Sequence, residues 1–493
     1  MIEILLKDVL FEQDIRELLM AFYPGEEFIH ESGAKAFLTF WAEHLEDHYR
    51  AFLRFGDGSK REFTFREHTE RIDTKNELKR NLYQILAEET GKSLPWGTLT
   101  GIRPTKIAMK MLEEGKSEEE VKRHLQEVYL VSDEKTKLCI LTAKREKEIL
   151  DPLDYQNGWS LYIGIPFCPT RCAYCSFTSY PIDRWKNGGA DEYLASLKKE
   201  LVAVAKMMRK RKLQTIYMGG GTPTSLSPEQ IDEILCCVER EFDLSHLLEI
   251  TIEAGRPDSI TREKLEVMRR HGVQRISINP QTMQQRTLDI IGRRHSVERV
   301  SEQFFLARQL GFENINMDLI VGLPEENLED VQDTLAQVMA LAPDSVTVHS
   351  LAIKRAARLN TNREEFIDLK IENTWQMIEA TASACQENQL LPYYLYRQKN
   401  MAGNFENVGY AKEGKACIYN ILIMEEKQTI VACGAGTSSK IVFPKEDRIE
   451  RVENVKDPKL YIERLDQLIQ RKEQFLLAKS DTDAKIDLSL IHI

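Results

Sequence analysis

Residues 161–175 read LYIGIPFCPTRCAYC. An apolar, β-branched run stops at a proline, and three cysteines, Cys168, Cys172 and Cys175, follow within eight positions. A run of this length bounded by a turn reads as a buried strand, which places the cysteines on the loop at its C-terminal end. Thiolates are soft ligands suited to iron–sulfur clusters. A structural zinc site is the alternative, but it takes four closed ligands and no fourth Cys or His lies nearby. Three ligands would leave one iron of a cubane open to a small molecule.

Downstream the same grammar recurs: a short strand-like run, a turn, then a segment of helical period. The runs are LQTIYMGG (213–220), LEITIEAG (248–255), RISIN (275–279), NINMDLIVG (314–322) and SVTVHSLA (345–352). Helical segments follow, beginning near Asp191, Ser227, Thr261, Ser296, Asn327 and Arg363. Ser227-Pro228-Glu229 and Thr261-Arg262-Glu263 carry helix-start chemistry, and Gly272 and Gly311 mark helix ends. Apolar strands separated by helices imply a parallel sheet, and six such units suggest an α/β fold, a partial (β/α)6 barrel over residues 158–390. Residues 1–150 are more charged and contain helical stretches such as DTKNELKRNLYQILAEE (73–89), so a separate N-terminal α+β domain is expected. There, LPWGTLTGIRPTK (94–106) reads equally as a packed loop or a binding loop. Residues 391–493 read as a smaller α+β region covering the barrel mouth, with strands at YYLY, IYNILIME (418–425) and IVACGAG and a terminal helix from Asp457.

With 493 residues, two or three domains are expected. The net charge of -11 argues against broad nucleic-acid binding, which needs cations to displace counterions. The N-terminus, MIEILLKDVLFEQDI, lacks the basic start of a signal peptide, and no apolar run nears the roughly 20 residues of a membrane span. A cytoplasmic protein is expected, in which Cys139, Cys236, Cys237, Cys385, Cys417 and Cys433 are buried, inert thiols.

In a (β/α) barrel the loops after the strands form the active face, and the unusual residues fall there. Gly219-Gly220-Gly221-Thr222 follows the second strand, Glu253 ends the third, Gln281 follows the fourth, Asp318 lies in the fifth and Ala352 closes the sixth. The cysteine spacing resembles the radical S-adenosylmethionine (SAM) superfamily. YIGIPFCPTRCAYC, MGGGTPTSL, TIEAGRPD, RISINPQT, IGRRH and MDLIVGLP, in this order, resemble the oxygen-independent coproporphyrinogen III oxidase family. WGTLTGIRPTK, EAGRPD and INPQT are similar to its HemZ-type branch.

The resemblance implies a [4Fe-4S] cluster on Cys168, Cys172 and Cys175, the source of a deoxyadenosyl radical. Tyr162, Gly220 and Glu253 match contacts to the cluster-bound SAM, with Glu253 on the ribose hydroxyls. A second SAM position is implied by Tyr174, Gly221, Thr222, Gln281, Arg293, Asp318 and Ala352. The implied reaction is oxidative decarboxylation of coproporphyrinogen III to protoporphyrinogen IX in haem biosynthesis, with an electron donor and an acceptor as partners. Arg293, Arg294 and Arg103 are candidates for the substrate carboxylates. Three departures matter. Phe177 stands where decarboxylating members carry a further cysteine, as it does in related haem-binding chaperone-like proteins. Asn279-Pro280 replaces a small-residue pair, and Tyr174 occupies a position that can be Phe. A haem-binding, chaperone-like protein on the same scaffold is therefore the alternative; a radical SAM enzyme acting on an RNA base is a third.

Overall fold

A computed structural model describes residues 1–487, apart from residues 8, 31–35, 186, 353–356, 363–365, 367, 399–404 and 447; for residues 445 and 477–487 it describes the backbone alone. The chain divides into two compact units, Met1–Lys144 with Leu395–Glu406, and Arg145–Tyr394 with Asn407–Ile493.

The second unit contains the barrel. Six parallel strands, β1 (Gly158–Ile165), β2 (Lys212–Gly220), β3 (Glu249–Gly255), β4 (Arg275–Ile278), β5 (Asn314–Val321) and β6 (Ser345–Ser350), lie side by side in chain order. After them come the helices Gly189–Met208, Pro228–Glu241, Arg262–Arg270, Val297–Gln309, Leu328–Ala340 and Trp375–Glu387. This is the partial (β/α)6 barrel expected from the alternation. Four helices start where cap chemistry dictates: the side chains of Ser227, Thr261, Ser296 and Asn327 accept from backbone N–H groups of the first turn. Those of Ser227 and Asn327 complete capping boxes with Gln230 and Asp330. The last helix starts at Trp375, capped by Thr374; residues 363–365, where the sequence places its start, lie outside the described residues.

The remaining strands of the unit are β7 (Leu391–Tyr396), β8 (Asn407–Ala411), β9 (Thr429–Cys433), β10 (Ser438–Phe443) and β11 (Arg448–Glu453). They extend the same sheet at both edges, in the order β7-β8-β6-β5-β4-β3-β2-β1-β9-β10-β11. β8 runs antiparallel to β6, whereas β9 runs parallel to β1 and brings its C-terminal loop, Gly434-Ala435-Gly436, to the same end as the cysteines. IYNILIME is the helix Ile418–Glu425, not a strand. Its apolar run carries no period to tell the two apart, and burial of Tyr419, Ile421 and Leu422 fixes the helical form. The terminal helix is two, Pro458–Glu463 capped by Asp457, and Leu465–Asp487.

Behind β1, Glu200 of the helix Gly189–Met208 is fully buried. It accepts from Lys472 Nζ (2.5 Å), Tyr461 Oη (2.6 Å), the Gly434 amide (2.7 Å) and Asn454 Nδ2 (2.9 Å). Every acceptor site of the carboxylate is engaged, so the C-terminal helices are tied to the first barrel helix by a closed network.

In the first unit five strands pair in the order Phe28–Ile29, Ile2–Lys7, Leu38–His44, His48–Phe55, Lys60–Arg66. Ile2, Ile4, Leu38, Phe40, Leu53 and Phe65 on one face share a core with Ile15, Leu18, Leu78, Leu82 and Leu86 of the helices Glu12–Phe22 and Arg71–Thr90. The WGTLTG loop is packed. Trp96 is fully buried and donates its indole N–H to Glu406 (2.8 Å), which also pairs with Lys135, while the Arg397 guanidinium lies 5.8 Å from the Trp96 ring.

Candidate radical SAM site

The loop 168–175 hangs from the end of β1 and is held along its length. The amides of Gly221 and Thr222 donate to Ile165 O and Phe167 O, both at 2.7 Å, joining the glycine loop after β2 to the start of the cysteine loop. This approach needs glycine: a Cβ on Gly221 would stand 2.5 Å from Phe167 O, and Gly220 adopts φ +107°. Further along, the Ala173 amide donates to Ile291 O (2.9 Å) and Ala173 O accepts from the Leu359 amide (3.0 Å). Thr222 Oγ1 points at Cys168 Sγ, 3.4 Å away.

Cys172 is buried, and Cys168 and Cys175 are partly so. Burial pushes the Cys168 thiol up to about 12 and raises Cys175 too, so thiolates here require a cation to balance them. A tetrahedral zinc with Zn–S bonds of about 2.3 Å needs sulfurs roughly 4 Å apart. Among the described residues, the one His, Cys and carboxylate trio whose ligand atoms fall within 4.8 Å of one another is Asp232, Cys236 and His271. In that other trio the valences are already used: His271 bridges Asp232 and Glu239, both at 2.8 Å, and Arg270 pairs with Asp232 at 2.6 Å. Three thiols on one loop are the soft donor set that an iron–sulfur cluster takes.

Below the loop the barrel interior is polar. Tyr162 of β1 stacks near Tyr217 of β2 (6.0 Å) and Tyr419 (6.1 Å), and Tyr217 donates to Glu253 Oε1 at 2.6 Å. Burial raises the Glu253 carboxyl to about 7, with the Asp318 charge pushing the same way against the Tyr217 hydrogen bond. Gly219 lies against Glu253: a Cβ there would come within 3.0 Å of its carboxylate. Asp318 accepts from Asn316 Nδ2 (2.7 Å), and its backbone carbonyl accepts from the Gln281 amide (3.0 Å). Gln281 holds φ +71° and leaves its buried Oε1 without a hydrogen-bond partner. Arg293 is buried. It donates to Tyr174 Oη (3.0 Å) and Asn279 O (2.5 Å) and leaves Nε unpartnered. Its neighbour His295 is equally buried with both ring nitrogens unpartnered, and burial lowers it to about 3, so it stays neutral. Buried polar groups are paired in the great majority of cases; four unpartnered atoms meet at this end of the barrel, which suits a polar ligand, although others, both oxygens of Glu146 among them, lie elsewhere in the described residues.

The strand register brings Tyr162, Glu253, Gln281 and Asp318 together, Arg293 joins them through its bonds to Tyr174 and Asn279, and Gly220 at the end of β2 leads into Gly221 and Thr222. Ala352 follows β6, and residues 353–356 beyond it lie outside the described residues. Arg294 is exposed, and Arg103 belongs to the first unit. Tyr217 and Arg256 were not legible as site residues by type. Tyr217 shares its strand parity with Gly219, which alone could have placed it inside the barrel.

Three cysteines on the loop after the first barrel strand, backed by a glycine loop and a polar barrel interior, define a radical SAM protein, and the Radical SAM superfamily model matches residues 162–338. The cofactors of that class, an iron–sulfur cluster and SAM, come with it. The oxygen-independent coproporphyrinogen-III oxidase-like protein HemZ of Bacillus subtilis (strain 168) is 42% identical over 406 residues, 82% of this chain and 81% of its own. The heme chaperone HemW of Escherichia coli (strain K12) is 30% identical over 304 residues, 62% of this chain and 75% of its own. Among solved structures, the radical SAM enzyme coproporphyrinogen III oxidase (HemN) from Escherichia coli superposes with a TM-score of 0.52 at 22% identity, over 65% of this chain and 72% of that one, which shows the shared fold. The chain belongs to the oxygen-independent coproporphyrinogen III oxidase-like family, in its HemZ-type branch. No helix among the described residues is long and apolar enough to cross a membrane.

Proposed function

We propose that this chain catalyses the oxidative decarboxylation of coproporphyrinogen III to protoporphyrinogen IX without oxygen, in the cytoplasm, converting two propionates to vinyl groups with loss of two molecules of carbon dioxide. The observation that carries the reading is the kinship with an oxidase-like relative along 82% of the chain, over a barrel end where the residues expected of such a site meet. In this reading Cys168, Cys172 and Cys175 hold a [4Fe-4S] cluster with one open iron. When bound and reduced, the cluster supplies the electron that cleaves SAM to a deoxyadenosyl radical.

The chain's own residues bind and orient. Gly220 and Gly221 let backbone come close to the ligand, and Thr222 directs its hydroxyl to the Cys168 sulfur. Glu253 accepts from the ribose hydroxyls, its carboxylate steered by Tyr217. Tyr162 forms the floor. Tyr174, Gln281, Arg293, Asp318 and Ala352, with Gly221 and Thr222, form a second SAM position, where Asp318 receives an ammonium and Arg293 a carboxylate. Arg294 meets substrate propionates from the exposed side. The partners are an electron donor and an acceptor, and nucleic acid is not among them.

One observation favours a second reading, a haem-handling protein: Phe177, two positions past Cys175, is 65% exposed, and HemW is a heme chaperone. Anaerobic incubation with dithionite, SAM and coproporphyrinogen III separates the two. Protoporphyrin after oxidation supports the enzyme; stoichiometric haem binding without turnover supports the chaperone.

A further inference from the structure

Arg256 follows β3 in the EAGRPD motif, and no role in the reaction proposed above uses it. Its side chain is nearly inaccessible, yet carries a full charge. Asp258 grips one edge of the guanidinium, Nε to Oδ1 at 3.0 Å and Nη2 to Oδ2 at 2.6 Å. The free Nη1 reaches the cysteine loop and donates to both Thr170 O (3.2 Å) and Thr170 Oγ1 (2.5 Å). Thr170 in turn donates its hydroxyl to Gly292 O (3.1 Å). Thr170 lies midway between Cys168 and Cys172, so one planar, five-donor group fixes the peptide that separates two of the thiols. A bidentate Arg–carboxylate pair has the rigidity such a brace needs, which a lysine lacks. Asp258 offsets the cost of burying the cation.

We propose that Arg256, braced by Asp258, is a positioning residue for the cluster loop: it presets the separation of Cys168 and Cys172 and sets a fixed positive charge beside the cluster. The proposal rests on the cluster reading above and adds to it a mechanical and an electrostatic role, which come apart by substitution. Net charge near a cluster and hydrogen bonding of its loop are among the determinants of its reduction potential, and a nearby cation favours the reduced, more negative state.

The test uses the full-length protein with its cluster reconstituted anaerobically, the rate of iron release to a chelator, and the midpoint potential from an EPR-monitored redox titration. Arg256→Gln is expected to release iron about tenfold faster and to shift the potential to more negative values. Arg256→Lys is expected to keep the potential near wild type while still releasing iron faster. Thr170→Val keeps the charge and loses the hydroxyl contacts, so it should speed release without moving the potential. It also decides the matter if Arg256→Gln does not fold. Wild-type release rates and potential in Arg256→Gln, or a wild-type release rate in Thr170→Val, would overturn the proposal while leaving the cluster reading standing. A wild-type protein that takes up no cluster would instead sink the cluster reading itself.

Discussion

Two buried polar clusters of the barrel unit differ in one respect, and the difference separates architecture from function. Around Glu200 every carboxylate site is filled by Lys472, Tyr461, Asn454 or the Gly434 amide. At the end of the barrel beneath the cysteines, Gln281 Oε1, Arg293 Nε and both nitrogens of His295 have no hydrogen-bond partner. Both clusters desolvate charge; the first is satisfied throughout by the chain's own groups, the second only in part, through the bonds of Arg293 to Tyr174 and Asn279. A saturated network stabilises the fold; in the proposed reading the unsaturated one is completed by a bound ligand.

The contrast fails if either cluster responds as the other should. Lys472→Met leaves Glu200 buried without its cation, and should destabilise by about 3–5 kcal/mol in urea unfolding, with the double variant Glu200→Gln/Lys472→Met recovering most of the loss. A change below about 1 kcal/mol would show that the network is not structural. Asp318→Ala should lower activity by about 10- to 100-fold, with cluster absorbance intact; unchanged activity removes the second SAM position. A gentler probe is pH. In the proposed reading Glu253 accepts from ribose hydroxyls, which it does best when ionised, and its carboxyl is raised to about 7. SAM affinity should therefore rise up to about tenfold between pH 6 and pH 8, and this dependence should vanish in Glu253→Gln. For the ligand-free protein the sign is opposite: a carboxyl raised above its unfolded value binds more protons when folded, so its contribution to stability declines as pH climbs from about 4.5 to about 7. The smallest expected change is in Gln281→Leu, where removing an unpaired buried acceptor should leave stability within about 1 kcal/mol while SAM binding weakens.

Much of this was readable beforehand, for identifiable reasons. The barrel strands announced themselves because five of the six are runs closed by Gly, Pro or Asn, and four of the following helices begin at a hydroxyl or amide cap that the sequence displays. Residues such as Asp318 stood out because a carboxylate inside an apolar run must be compensated. Where the signal was only apolarity, as in IYNILIME, strand and helix were indistinguishable and burial decided for the helix. Arg256 and Tyr217 escaped because their importance lies in partners distant in the chain: Thr170 is 86 positions from Arg256, and Glu253 is 36 from Tyr217. The parallel pairing of β9 with β1 joins segments about 270 residues apart, which no local pattern encodes.

The account stands or falls on the three thiols of one loop. EPR and iron analysis of the anaerobically reconstituted, dithionite-reduced protein, alongside Cys172→Ser, test it most directly. The wild type should show a [4Fe-4S] signal that changes on adding SAM, and the variant should lose both the signal and SAM cleavage while its circular dichroism stays native. A wild type without the signal, or a variant that keeps it in full, would contradict the assignment.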